Sequence, residues 1–86
     1  MKTSPKTIFD PRYDQLIADL VAVRKKKGWT QRELAKQSKH THCFIGRTEI
    51  KERRLDLIET IDLMKVLGLS KAEITKKISE LFRNVP

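Results

Sequence analysis

Cysteine occurs once in this 86-residue chain, at Cys43, which excludes an intrachain disulfide. At this length stability must then come from well-packed helices or from a second copy of the chain, and a lone thiol suits a reducing cytoplasm. Long hydrophobic runs are also missing: the longest is four residues, Leu20 to Val23. A run that short does not span a bilayer. The opening Met1-Lys2-Thr3-Ser4-Pro5-Lys6 lacks the apolar core of an export signal, so a cytoplasmic protein without a membrane anchor is expected. Aromatic residues make up only 6% of the chain, and Phe9, Tyr13, Trp29, Phe44 and Phe82 are too scattered to form a stacking platform for RNA bases. Sustained period-two alternation, internal repeats and low-complexity tracts are absent as well, which removes sheet and solenoid architectures.

What is present in excess is positive charge, and it is local. The net charge is +8, yet residues 1–23 and residues 55–86 are each neutral. The whole surplus lies in residues 24–54, where eleven Lys and Arg face Glu33, Glu49 and Glu52. Such a band is the footprint of a polyanion site, since neutralising phosphates releases condensed counterions. A solvated basic surface that binds nothing is the other reading of the same charges.

Apolar spacing predicts five helices. Tyr13, Leu16, Ile17, Leu20 and Val21 form one stripe, with Asp10 as cap, Pro11 at the first helical position and Gly28 beyond the basic last turn. Thr30-Gln31-Arg32-Glu33 reads as a capping box opening a second helix, with Leu34 and Ala35 facing inward. The polar Ser38-Lys39-His40 predicts a turn, and Thr41 caps a third helix from about His42 to Ile50. On that helix His42, Cys43, Gly46 and Arg47 share one side, and Phe44, Ile45 and Thr48 the other. A fourth helix after Asp56 carries Leu57, Ile58, Ile61, Met64 and Leu67 up to Gly68. Ser70-Lys71-Ala72-Glu73, another capping box, opens a fifth at about 71–83, with Ile74, Ile78, Leu81 and Phe82 at helical spacing. The expected fold is all-α, with a flexible arm at residues 1–9 and one domain over residues 10–86.

Arg24 to Gly28, then Trp29-Thr30-Gln31-Arg32-Glu33-Leu34-Ala35, three turn residues, and Ile45 through Glu49 resemble the Cro/cI-type (xenobiotic-response-element type) helix-turn-helix repressors. Ile8-Phe9-Asp10-Pro11-Arg12-Tyr13 and Glu52-Arg53-Arg54-Leu55-Asp56-Leu57-Ile58-Glu59 extend the likeness toward compact phage and bacterial regulators, over about residues 8–69. The resemblance implies a five-helix, lambda-repressor-like domain whose motif spans about residues 30–50. Three departures stand out. The turn reads Ser38-Lys39-His40 where the family has Leu-Gly-x, Ile50-Lys51 replaces Arg-Gly, and Gly46 fills a groove-facing position that is usually polar.

The resemblance implies that the third helix enters the major groove of double-stranded DNA and reads base edges from its N-terminal residues. That assigns His42, Cys43, Gly46 and Arg47 to the groove, beside the cap Thr41. Arg47 suits guanine O6 and N7, or a phosphate; His42 makes a contact or is simply exposed. Gln31, at the start of the second helix, matches a phosphate contact or an ordinary first-turn residue. Lys39, Arg53 and Arg54 suit backbone positioning, although both arginines can instead pair with Asp56 or Glu59. Gly46 either lets the backbone approach DNA closely or is a local weakness. Arg24 continues the inward stripe of the first helix and needs a partner; Glu49 is the candidate, and the family likeness pairs these two positions. If it finds none, Arg24 snorkels to solvent.

His40, His42 and Cys43 are zinc-ligand types, but no further Cys or His completes a four-ligand set, so no metal is expected. No catalytic constellation, cofactor motif or small-molecule pocket is legible, and no enzyme is expected. The leading expectation is a transcriptional repressor, homodimeric on a palindromic operator through Ile74, Ile78, Leu81 and Phe82. By resemblance it would control its own phage or mobile-element operon. The alternative is an antitoxin that binds a protein toxin and autoregulates. A basic protein-interaction or RNA-binding module is a third.

Overall fold

Each helix begins where a side chain can satisfy its free backbone N–H groups. In the computed structural model, which describes residues 10–83, α1 spans Pro11–Lys26, α2 Gln31–Ser38, α3 His42–Glu49, α4 Leu57–Val66 and α5 Lys71–Arg83. No strand occurs among the described residues. Asp10 caps α1 and Thr41 caps α3. Reciprocal capping boxes open α2 from Thr30 and Glu33, α4 from Asp56 and Glu59, and α5 from Ser70 and Glu73. The Asp56 box carries the same signature as the other two, an oxygen-bearing cap three residues before Glu. The expected arm at residues 1–9 lies outside the described residues, as do the side chains of Phe82 and Arg83.

The two positions where the family keeps glycine are solved here by lysine. Lys39 adopts φ +62° after α2, and the next N–H, that of His40, donates to the Ala35 carbonyl at 3.1 Å. Lys51 adopts φ +66° after α3, and the Glu52 N–H donates to the Arg47 carbonyl at 2.8 Å. Both are left-handed turns that seal a helix C-terminus. They set the end of α3 at Glu49, one residue short of the expected Ile50.

The core joins Leu16, Ile17 and Leu20 of α1 to Leu34 and Ala35 of α2, Ile45 of α3, and Leu63 and Met64 of α4. Tyr13 adds a tie that spacing does not show: its hydroxyl oxygen accepts the buried N–H of Leu55 at 3.1 Å. That bond pins the segment leaving α3 to α1, 42 residues earlier.

Two expectations about helix faces are corrected. The inward face of α4 is formed by Thr60, Leu63 and Met64, with Leu67 just after it, while Leu57 and Ile58 are 62% and 64% exposed. At 100° per residue Ile58 lies about 140° from the Leu63 direction, whereas Leu57 points within about 20° of the buried Met64 and stands exposed as the first residue of the helix. On α5, Ile74 is buried in the chain's own core and Ile78 packs against it, while Leu81 is half-buried. Two of the four residues expected to meet a second copy, Ile74 and Ile78, thus pack within the chain. Lys77 reinforces this seat by reaching Asp19 of α1 at 3.1 Å.

Candidate nucleic-acid interface

The side chains of α3 divide by face. Ile45 and Thr48 are buried and Phe44 is half-buried, whereas His42, Cys43 and Arg47 are exposed, with Gly46 between them. Thr41 uses its hydroxyl oxygen to accept the Phe44 N–H at 3.0 Å, which leaves its hydroxyl proton available to a further acceptor. The one acid of α3, Glu49, turns away from the exposed side. It takes Nε of Arg24 at 2.6 Å and NH2 at 3.0 Å, and the two side chains are 12% and 9% exposed. NH1 of Arg24 donates to the Trp29 carbonyl at 2.6 Å, so all three guanidinium nitrogens are engaged. This bidentate pair ties the C-terminal end of α1 to α3 and turns the one acid of that helix away from its exposed side.

Gln31 lies between the two helices of the motif. Its Nε2 donates to Glu49 Oε1 at 2.9 Å, so the side chain expected to meet a phosphate is tied into the Arg24–Glu49 network. Lys39 is exposed at the turn before α3. Lys51, not singled out from the sequence, stands at the other end of α3, with its ammonium 3.6 Å from Asp14.

Arg53 and Arg54 are fixed by contacts within the chain. Both terminal nitrogens of Arg53 reach Glu59 at 3.0 Å, and its guanidinium lies 4.4 Å from the centre of the Phe44 ring. The other face of this arrangement is His40, whose imidazole stacks on Phe44 with centroids 3.9 Å apart and planes 15° apart. Spacing alone does not show that the three form one cluster on the turn. The Arg53 guanidinium and the Asp56 N–H hold the Glu59 carboxyl below the usual range. Arg54 lies over the Tyr13 ring at 4.3 Å. Among the sequence candidates the structure therefore gathers His42, Cys43, Gly46 and Arg47 on one face of α3, with the cap Thr41 at its start and Gln31 beside it. It ties Arg53 into the turn cluster and seats Arg54 on α1.

Among the described residues no three His, Cys, Asp or Glu side chains come together, and no helix is long and apolar enough to cross a membrane. A cavity beside Ile45 and Thr48 measures about 20 Å³, and two open grooves away from α3, one lined by Val23, Leu67 and Lys77 and one by Ile61, Leu69 and Ile74, measure about 440 and 500 Å³.

No protein-family model matches the chain, and no curated protein does. A solved structure does: an XRE-family like protein from Pseudomonas syringae pv. tomato str. DC3000 superposes with a TM-score of 0.77 at 34% identity. The match covers 99% of this chain and 100% of the other, so it takes in the whole arrangement of helices and not the motif alone. On that identity and coverage the chain belongs to the XRE family, the xenobiotic-response-element type of helix-turn-helix regulators.

Proposed function

We propose that the protein is a sequence-specific transcriptional repressor that binds a two-fold operator as a homodimer, with α3 in the major groove. The observation that carries this reading is the exposed face of α3. It presents hydrogen-bonding and cationic side chains, His42, Cys43 and Arg47, while the acid of that helix is buried against Arg24. Electrostatics then favour a polyanion at this face, and exposed donors and acceptors supply the means to tell base pairs apart. The charge surplus of residues 24–54 gives the surrounding surface the same sign.

Selection of bound duplexes from a random pool tests the reading. A repeated two-fold motif with half-sites about one helical turn apart is expected. Recovery of no common sequence would overturn it. The DNA upstream of the protein's own gene is the first natural operator to assay, because autoregulation is what the family resemblance implies.

Within that complex Arg47→Ala is expected to cost about 1–3 kcal/mol and to flatten discrimination at one base pair per half-site. A loss equal on all sequences would move Arg47 to the phosphate backbone.

A further inference from the structure

Gln31 is the first residue of α2, and its side chain is locked in one orientation. A carboxylate only accepts hydrogen bonds, so the end of the carboxamide that faces Glu49 must be the NH2 group. Glu49 is itself immobilised by Arg24, and Arg24 by the Trp29 carbonyl. With one N–H given to Glu49, the carboxamide retains one donor and one acceptor oxygen. The position of that oxygen is informative. A methyl group placed on Gly46 would lie 3.5 Å from Gln31 Oε1. The carboxamide thus lies over the one position on the exposed side of α3 that has no side chain.

We propose, building on the DNA-binding reading above, that Gln31 reads a base edge across the gap left by Gly46 and that the base is adenine. The second helix of the chain then supplies a specificity contact that α3 lacks at this position. Adenine is the base whose major-groove edge offers an acceptor, N7, beside a donor, the N6 amino group, which complements the remaining N–H and oxygen of Gln31. Guanine presents two acceptors there and would oppose the carboxamide oxygen. A phosphate presents only acceptors and would leave that oxygen unmatched. Glu49 and Arg24 act here as positioning residues, because they fix which end of the amide faces Glu49 and which lies over Gly46.

The test is duplex selection with the full chain and with Gln31→Ala and Gln31→Met, the second of which keeps the length of the side chain. The unsubstituted protein is expected to prefer adenine at one position in each half-site. Both variants are expected to lose that preference, a change of roughly five- to a hundredfold, with the rest of the motif unchanged. Gly46→Leu keeps Gln31 but fills the space beneath its carboxamide, and the same single preference is expected to disappear. Retention of the adenine preference in these variants, or a uniform loss on all sequences with a shallower salt dependence, would overturn the proposal. Enrichment of no motif by the unsubstituted protein is a different failure, that of the DNA-binding reading itself.

Discussion

Single residues in this chain serve either the fold or the exposed face of α3, and the separation can be measured. Lys39 holds a left-handed backbone that costs a non-glycine residue about 1–2 kcal/mol. Lys39→Gly relieves that strain but adds freedom to the unfolded chain worth about 0.4–1 kcal/mol, so a net gain of up to about 1 kcal/mol is expected in thermal melts. If the ammonium meets a phosphate, the same variant binds DNA more weakly, with a salt slope smaller by about 0.9. Thr48 presents the opposite case. Its Oγ1 is buried with no hydrogen-bond partner among the described residues, which is the costly state for a hydroxyl. Thr48→Val keeps the shape, removes the orphan oxygen and is expected to stabilise by about 1 kcal/mol, or about 4–8 °C in Tm. A lower Tm would mean that the hydroxyl is satisfied. Glu49→Ala strands the buried Arg24 guanidinium and is expected to cost about 3–5 kcal/mol. Glu52→Ala, at an exposed position, is expected to stay within about 0.5 kcal/mol, and equal effects from the two would contradict the buried pair.

At the scale of elements, helix ends make the fold sensitive to acid. The Arg12 guanidinium and the Arg12 N–H hold the Asp10 carboxyl at about 2 instead of its ordinary 3.8. A carboxyl whose folded-state pKa is depressed stabilises the fold above its unfolded value and stops doing so as pH falls through the folded value. Asp10 therefore supports α1 above about pH 4 and ceases to do so toward pH 2. Glu59 and Glu73 are lowered as well, by Arg53 and by the Ser70 backbone N–H respectively, and so act in the same sense. Melting temperature is expected to drop across this window, and Asp10→Asn to fall less steeply there than the unsubstituted chain. Parallel curves would show that the cap carries no pH dependence. The cluster of His40, Phe44, Arg53 and Glu59 also alters what Arg53→Ala reports. That change removes a phosphate candidate and loosens the segment between α3 and α4, so a fall in Tm is expected beside any fall in affinity.

For the whole molecule, the proposed homodimer requires a surface on which two copies can meet. With Ile74 and Ile78 engaged inside the chain, the large apolar side chains left exposed among the described residues are Ile50, Leu57 and Ile58, at 62%, 62% and 64% exposure. They sit on the stretch that leaves α3 and opens α4, next to the proposed recognition face. Exposed apolar groups of this kind favour association, and a two-fold pair formed through them would hold the two α3 helices on one side of the dimer. Sedimentation at operator-binding concentrations is expected to show a dimer, and Ile58→Glu to shift it toward monomer with little change in the melting of the single chain. A monomer both free and on DNA would remove dimerisation from the reading.

The sequence alone determined the helices and their starts, because caps, capping boxes and apolar spacing act over three or four residues. It also marked Arg24 as an inward cation, since the apolar stripe of α1 aims that side chain at the core, and the family resemblance paired it with Glu49. The sealing of α2 and α3 by left-handed lysines was beyond local rules, which place glycine there. The tertiary structure decided how much of the apolar surface of α4 is covered, because Leu57 and Ile58 fit the helical period with Ile61 and Met64 and yet stay exposed. Only the neighbouring helices select which of these residues are covered. The same holds for α5, where Ile74 and Ile78 turn out to pack against the chain's own core. Gln31 is the clearest instance: in the chain it is one residue of a helix start, and 15 positions separate it from Gly46. Its amide takes one direction only because folding brings the Glu49 carboxylate beside it and leaves a side-chain-free position of α3 beneath it.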